Sequence, residues 1–229
     1  MTPVESLPSC PHCGAEPGSS LACLACGELL EEHGDDHFAR LGQHSAEPFD
    51  KDAAEATYLR LSRLLHPDFH GRSSADVQAR AVRHSALLNE AWTTLTDEQA
   101  RAEYVLELHH PGTLEKHKTL SPAFLMEAME LSEELESAQG SGCGQTIQRI
   151  RQDARRAVEE RMEGVAEACG HTIDRIARDA HHPGGQQQGQ DVPAALISQH
   201  QWNTEQIATL LHQARVYRRI LRDSEKSLP

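Results

Sequence analysis

The sequence predicts an all-α protein in which a small metal-binding module precedes two helical domains. Only 38% of the 229 residues are apolar and 4% are aromatic, which suits small helical units better than a large β-sandwich. Apolar residues recur at helical spacings of three and four over most of the chain after residue 36. Four of the six cysteines form two C-x-x-C pairs near the N-terminus, a pattern typical of a small metal site.

The charge balance excludes two classes of partner. The 22 Lys and Arg residues against 35 Asp and Glu residues give a net charge of −13, which argues against nonspecific binding to nucleic acid or to an anionic membrane. No window approaches the ~20 consecutive apolar residues of a membrane span, and the segment before Cys10 is too short for a signal or transit peptide. We therefore expect a cytoplasmic protein that binds neither nucleic acid nor membrane.

The first element is a pair of cysteine knuckles. In a chain without a secretion signal, this spacing predicts metal ligation before disulfides. A glycine follows the second cysteine of each pair and permits a turn that brings backbone N–H groups towards a thiolate. Four thiolates can close a tetrahedral shell around Zn²⁺, so a structural zinc site is predicted at Cys10, Cys13, Cys23 and Cys26. Iron or an iron–sulfur centre also suits four cysteines, and the alternative without metal is a disordered tail with two reducible dithiols.

The next elements are two antiparallel helices and a shorter third one. An acidic stretch predicts a linker near residues 28–35. Asp50 is the predicted N-cap of the first helix, which must stop at His66 because Pro67 disfavours helical geometry in the residue before it. A Gly/Ser loop over 71–74 then leads into the second helix, and the third covers about 98–108. The predicted apolar positions of the first two helices are Ala54, Tyr58, Leu61 and Leu65, and Val77, Ala81, Leu88, Trp92 and Leu95.

The loop between the two helices carries the tripeptide His66-Pro67-Asp68. It pairs no nucleophile with a base, and the chain has no phosphate-binding glycine loop. Exposed polar side chains on a rigid turn suit docking better than bond making. The competing interpretation is a plain helix stop, with Asp68 beginning the next turn.

The C-terminal half predicts a three-helix bundle. Its first helix begins at Ser121 as N-cap with Pro122 in the first turn, and its core stripe is Phe124, Ala128, Leu131 and Leu135. That stripe leaves an apolar patch with an acidic edge, formed by Leu125, Met126, Met129, Glu130 and Glu133. The alternative for this patch is a wider core stripe.

The other two bundle helices follow from the same spacing. The second covers about 146–180 and places Cys169 on its buried stripe, and a His-, Pro-, Gly- and Gln-rich connection follows at 181–193. The last helix carries Ile207, Leu210, Ala214, Tyr217 and Leu221 on one face, with Val216 off that face. Most of the 15 histidines are expected at the surface. The predicted domains are residues 1–34, 35–111 and 112–229.

Several segments carry a family resemblance. Leu88-Asn89-Glu90-Ala91-Trp92-Thr93-Thr94-Leu95, Arg101-Ala102-Glu103-Tyr104-Val105-Leu106-Glu107-Leu108-His109 and Phe124-Leu125-Met126-Glu127, together with the tripeptide, resemble the HscB family of iron–sulfur J-domain co-chaperones over roughly residues 36–226. The N-terminal pair of knuckles resembles the form found in some members of this family. The resemblance implies a J-domain followed by a three-helix bundle.

The resemblance also implies partners. The family brings an IscU-type iron–sulfur scaffold protein to a DnaK/HscA-type chaperone and stimulates the ATPase of that chaperone, without being an enzyme itself. The implied chaperone-binding residues are Arg60, Arg63, His66, Pro67 and Asp68. The implied scaffold-binding residues are Leu125, Met126, Met129, Glu130, Glu133 and Val216. One departure is that Phe69 and His70 follow the tripeptide where many J-domains carry Lys or Arg.

Two function classes compete with this interpretation. The first is a zinc-ribbon module that binds nucleic acid or protein. Binding to nucleic acid would need a basic face, which the negative net charge opposes. A zinc hydrolase would need an open ligand position and a nearby base, whereas four cysteines close the shell.

Overall fold

A computed structural model describes residues 7–31, 36–44, 49–168 and 202–226. These ranges contain nine helices and a single isolated β-bridge, between Ala22 and Leu29, so the predicted all-α class is confirmed. None of the described helices is long and apolar enough to cross a membrane. The helices are α1 (His37–Arg40), α2 (Lys51–Leu64), α3 (Pro67–His70), α4 (Ala75–Thr96), α5 (Glu98–His109), α6 (Thr113–Lys116), α7 (Pro122–Ser141), α8 (Gly144–Ala168) and α9 (Thr204–Glu225).

The chain divides into two compact units. The described part of the first covers residues 7–31, 36–44 and 49–101, and that of the second covers 102–168 and 202–226. The first unit therefore contains the cysteine knuckles together with α1–α4, and the division falls inside α5. The domain boundaries drawn from the sequence stay predictions.

The first unit is built on an antiparallel hairpin of α2 and α4. The carboxylate of Asp50 accepts a hydrogen bond from the N–H of Ala53 at 3.0 Å, so the predicted N-cap of α2 is observed. α2 packs on α4 through the predicted apolar positions, of which Tyr58, Val77 and Trp92 are half-buried and the others fully buried. The apolar spacing therefore identified the facing sides of this hairpin.

The loop of the hairpin contains a helix that spacing alone did not predict. α2 ends at Leu64, and His66 adopts an extended conformation with ψ of 132°, as the following proline requires. Pro67 then occupies the first position of α3, with His66 as its N-cap. The tripeptide thus lies on a short helix.

Several polar residues of the first unit are buried. Two histidines, His37 and His84, lie in the interior although most histidines were expected at the surface. Arg101 is also buried, and its guanidinium carbon lies 5.0 Å from the centroid of the Phe49 ring. Periodicity could not identify these positions because it counts apolar residues only.

The second unit is a three-helix bundle of α7, α8 and α9. The hydroxyl of Ser121 accepts a hydrogen bond from the N–H of Phe124 at 3.3 Å and caps α7 as predicted. The rings of Phe124 and Tyr217 meet edge to face, with centroids 5.6 Å apart. The buried core is formed by Phe124, Ala128, Leu135, Ala138, Ile147, Ile150, Ala154, Ala157, Tyr217 and Ile220.

Two bundle predictions need correction. α8 begins at Gly144, two residues before the predicted start, and is described as far as Ala168, so Cys169 and the 181–193 connection lie outside the described residues. On α9, Leu211 and Ile220 fill the buried positions assigned to Leu210 and Leu221, which are only half-buried.

Candidate metal centre and docking sites

The four knuckle cysteines form one cluster. Their sulfur atoms all lie within 4.8 Å of one another, and the Cys10–Cys26 and Cys13–Cys23 pairs are each 3.7 Å apart. A tetrahedral zinc with Zn–S bonds of ~2.3 Å separates its sulfur ligands by about 3.8 Å. The chemistry and spacing of these four side chains therefore fit a tetrahedral metal ion of the size of zinc.

The backbone holds each pair of cysteines in a tight turn. The N–H of Gly14 donates to the carbonyl of Cys10, and that of Gly27 donates to the carbonyl of Cys23, both at 2.8 Å. Both glycines have positive φ, 74° and 81°, a conformation that other residues rarely adopt. The role predicted for the glycine after each pair is thus observed.

Burial and hydrogen bonding give the thiols of Cys23 and Cys26 different pKa values. Burial raises the pKa of the Cys23 thiol, but the backbone N–H groups of Cys26 and Ala25 stabilise its thiolate and bring the pKa to about 7. The N–H of Glu28 lowers the pKa of Cys26, but burial and the three neighbouring sulfurs raise it to about 12. Four negative charges cannot share this space without a cation, so the site requires a metal for full ionisation.

The knuckle includes residues that follow its second pair of cysteines. The N–H of Cys23 donates to the carbonyl of Glu28 at 2.8 Å, and Leu29 pairs with Ala22 in the isolated bridge. Leu30 is buried in a cluster with Cys10 and Cys23. The predicted linker at 28–35 is therefore wrong in its first three residues, which are part of the metal module.

The knuckle also packs against the helical part of its unit. The hydroxyl of Ser19 donates to the carbonyl of Arg40 at the end of α1, at 2.8 Å. Gly42 has a φ of 68°, and a Cβ atom there would lie 2.3 Å from the carbonyl oxygen of Gly18. Only glycine allows this approach of the two backbones.

The tripeptide presents its polar side chains to solvent from a fixed backbone. The side chains of His66 and Asp68 are 56% and 89% exposed. The Nδ1 atom of His66 accepts a hydrogen bond from the N–H of Asp68 at 3.3 Å, and the Nε2 atom of His70 donates to the carbonyl of Leu64 at 2.8 Å. These bonds fix α3 at the end of α2, so the exposed side chains of the turn extend from an ordered backbone.

The two arginines implied for the chaperone site, Arg60 and Arg63, differ in their contacts. Arg63 is exposed on α2. The guanidinium of Arg60 donates to the carbonyl of Leu24 in the second knuckle, so this side chain already has a partner within the protein. Phe69, which departs from the usual J-domain pattern, is 73% exposed and is the most exposed large apolar residue described in this structure.

The apolar patch on α7 lies at the surface. Leu125, Met126 and Met129 are 44%, 62% and 62% exposed, while the core stripe of the same helix is buried or half-buried. The alternative of a wider core stripe is therefore wrong. Glu130 and Glu133 are also exposed, as expected for an acidic edge.

The helix that carries the patch is uniformly acidic and firmly anchored. α7 contains five Glu residues and neither Lys nor Arg. The hydroxyl of Tyr217 donates to Glu127 at 3.0 Å, and the guanidinium of Arg161 lies 4.8 Å from the centre of the Tyr217 ring. Burial raises the pKa of Tyr217, and the bond to Glu127 raises it further, so the phenol keeps its proton. Val216 is half-buried and packs against the bundle core.

In the part of the chain that the structure describes, a four-cysteine cluster thus precedes a helical hairpin with an exposed His-Pro-Asp turn and a helical bundle with an exposed apolar patch. Residues 120–182, about a quarter of the chain, match the family described as the HSCB C-terminal oligomerisation domain. The resemblance to HscB co-chaperones predicted from the sequence is confirmed.

Two solved structures share the fold. The crystal structure of human co-chaperone protein HscB is 21% identical with a TM-score of 0.59, and the match covers 96% of this chain and 99% of that chain. Chaperone HscB from Vibrio cholerae is 20% identical with a TM-score of 0.57, and the match covers 83% of this chain and 96% of that chain. The chain therefore has the HscB fold along most of its length.

Proposed function

We propose that this HscB-like protein is a co-chaperone that brings an IscU-type iron–sulfur scaffold to a DnaK/HscA-type chaperone and stimulates the ATPase of that chaperone. The observation that carries the proposal is the exposure of Leu125, Met126 and Met129 on an acidic helix. An apolar patch of this kind marks a protein interaction site in a well-packed unit. The proposal places no catalytic residue in this chain and keeps the cytoplasmic location as a prediction.

The two docking surfaces have different tasks in this proposal. The bundle holds the scaffold through the α7 patch, with Glu130, Glu133 and Val216 in supporting positions. The tripeptide favours the hydrolysis-competent state of the chaperone, with Arg63 beside it on α2. A ligand shifts such an equilibrium only by its differential affinity for the two states, so the loop must bind one chaperone state more tightly than the other.

We propose zinc as the metal of the knuckle. The sulfur spacing supports this choice, and a closed shell of four thiolates suits a structural role. A nucleic-acid function for the knuckle has little support because residues 1–34 contain neither Lys nor Arg. Elemental analysis of the purified chain should find one zinc per molecule, and one iron per molecule would contradict the assignment.

The test of the main proposal is a reconstitution with a purified DnaK-type chaperone and an IscU-type scaffold. Single-turnover ATP hydrolysis should accelerate when this protein is added, and further when the scaffold is present. The matched control for substitutions in the α7 patch is Val82→Ala, which truncates an exposed apolar residue of the first unit. Equal hydrolysis rates with and without this protein would exclude the proposed function.

A further inference from the structure

Two arginines connect the second knuckle to the hairpin on either side of the tripeptide loop. Arg60 lies on α2, six residues before His66, and Arg80 lies on α4, six residues after Ser74. The chain between α2 and α4 contains the tripeptide and α3. The two arginines therefore come from the parts of the hairpin that flank the loop.

Both guanidinium groups bind backbone carbonyls of the knuckle. Arg60 donates to the carbonyl of Leu24, which lies between Cys23 and Cys26. The Nη1 atom of Arg80 donates to the carbonyl of Leu29 at 3.3 Å. The Nη2 atom of Arg80 lies 2.5 Å from a carboxylate oxygen of Glu31. The Arg80 side chain is three-quarters buried. One short segment of the knuckle thus holds both helices of the hairpin.

A close contact reinforces this connection. A Cβ atom at Gly27 would lie 3.6 Å from a methyl carbon of Leu64, the last residue of α2. Gly27 follows Cys26 and has positive φ. The turn that the second knuckle imposes is therefore packed directly against the end of the helix that leads into the tripeptide.

The metal site forms part of the small core of the knuckle. One buried cluster consists of Cys10, Cys23 and Leu30, two of which are cysteines of the metal site, and the other buried apolar residues of the knuckle are Leu21, Ala22 and Leu29. A module of this size normally depends on its metal for a defined conformation. The position of the carbonyls of Leu24 and Leu29 therefore depends on metal occupancy.

We propose that Arg60 and Arg80 are positioning residues through which the metal-loaded knuckle fixes the tripeptide end of the hairpin. Loss of the metal releases the two carbonyls and loosens the segment that carries His66 and Asp68. The contacts that support this inference all lie within the first unit. Its consequence for ATPase stimulation rests on the proposed function.

Linkage makes the inference testable without any partner protein. If the metal stabilises the arginine contacts, removing those contacts must weaken metal binding by the same factor. The zinc-loaded full chain is titrated to equilibrium with a chromogenic chelator, and the zinc dissociation constant is measured for Arg60→Gln, Arg80→Gln and Arg72→Gln. Arg72 is the matched control, an exposed arginine of the same loop for which the described residues give no bond to the knuckle.

The zinc dissociation constant should rise by about fivefold or more in Arg60→Gln and Arg80→Gln. It should equal that of the parent in Arg72→Gln. If either glutamine variant fails to fold, Arg80→Lys keeps the charge and loses the two-point contact, and its dissociation constant should rise by a smaller factor. Parent dissociation constants in all the variants would overturn the inference.

Hydrogen exchange supplies the second measurement. In the zinc-depleted full chain, amides of residues 61–80 should exchange faster than in the zinc-loaded chain, while the bundle helices α7–α9 keep their protection. Unchanged exchange over 61–80 after zinc removal would also overturn the inference. Zinc removal could accelerate exchange over 61–80 while neither the zinc-loaded nor the zinc-depleted chain stimulates the chaperone ATPase. In that case the proposed function fails and the positioning role of the two arginines stands.

Discussion

The ring of Tyr58 on α2 stacks on the indole of Trp92 on α4, with centroids 4.7 Å apart and ring planes inclined by 23°. The hydroxyl of Tyr58 donates to the side-chain carbonyl of Asn89 at 3.0 Å. These contacts lie in the body of the hairpin, away from α3. The fold of the hairpin therefore does not depend on the exposed side chains of the tripeptide.

The first prediction concerns His66→Gln. The imidazole is more than half exposed, so the free energy of unfolding should change by less than about 1 kcal/mol. Stimulation of a DnaK-type ATPase should nevertheless be lost, because the proposed function places this side chain in contact with the chaperone. His44→Gln, an exposed histidine of the same unit, is the control and should change neither quantity. A His66→Gln protein that stimulates like the parent would show that the tripeptide is only a turn.

The second prediction concerns the α7 patch. Replacing Leu125, Met126 and Met129 together by Ala should leave the melting temperature close to that of the parent, because all three side chains are exposed. Affinity for an IscU-type scaffold should fall by about tenfold or more, since a few apolar anchors carry most of the energy of an interface. Calorimetric unfolding and a binding titration check both parts. A normal melt with unchanged scaffold affinity would reject the patch as the docking site.

The third prediction separates the acidic edge from the apolar centre. Glu130→Lys and Glu133→Lys reverse exposed charges, so they should mainly slow association with the scaffold and leave dissociation nearly unchanged. Screening weakens such charge effects, so the difference from the parent should shrink as the salt concentration rises. Stopped-flow association at several salt concentrations measures this. An effect on dissociation that is independent of salt would place these residues in the centre of the interface.

The fourth prediction concerns pH. Burial lowers the pKa of His109, and the nearby His110 lowers it further, with the His109 ring packed edge to face on Trp202. The unfolded chain, with a histidine pKa of ~6.5, then binds protons more readily than the folded chain, so stability is present above about pH 6.5 and is lost as the pH falls. His109→Gln should reduce the fall in melting temperature between about pH 7.5 and 5.5.

The comparison isolates a single ring, because His109→Gln retains every other titrating group of the parent. Equal slopes for His109→Gln and the parent would show that the His109–Trp202 contact does not control protonation.

The fifth prediction tests the backbone contact between the knuckle and the end of α1. Gly42→Ala introduces both an unfavourable φ and a clash with the Gly18 carbonyl. Gly112→Ala is the matched control, because Gly112 has a φ of 79° with no atom near its missing Cβ, so it should cost only about 1–2 kcal/mol. Gly42→Ala should be clearly more destabilising in denaturant unfolding. Equal losses would mean that the two backbones separate at little cost.

Local rules predicted the features that depend on neighbouring residues. The caps at Asp50 and Ser121 and the end of α2 before Pro67 follow from side chains within three or four positions. The exposed patch on α7 was also visible, because Leu125 and Met129 lie off the stripe that begins with Phe124.

Tertiary features escaped the same rules. The burial of His84 depends on residues distant in the chain, and apolar periodicity assigns polar residues to the surface. The bonds from Arg60 and Arg80 to the knuckle join residues 36 and 51 positions apart. Two arginines among many carry no sequence signal of such contacts, so the knuckle was predicted as an independent module.

The chemistry of the α7 patch has a consequence for oxidative stress. Met126 and Met129 are thioethers with most of their surface in solvent, whereas Met162 on α8 is buried in the bundle. Oxidation to the sulfoxide makes a methionine polar, and exposed thioethers react first. Mild oxidation would therefore remove the apolar character of the patch while the bundle stays folded. Because methionine sulfoxide is reversible by dedicated reductases, a molecule disabled in this way could be restored without being made anew.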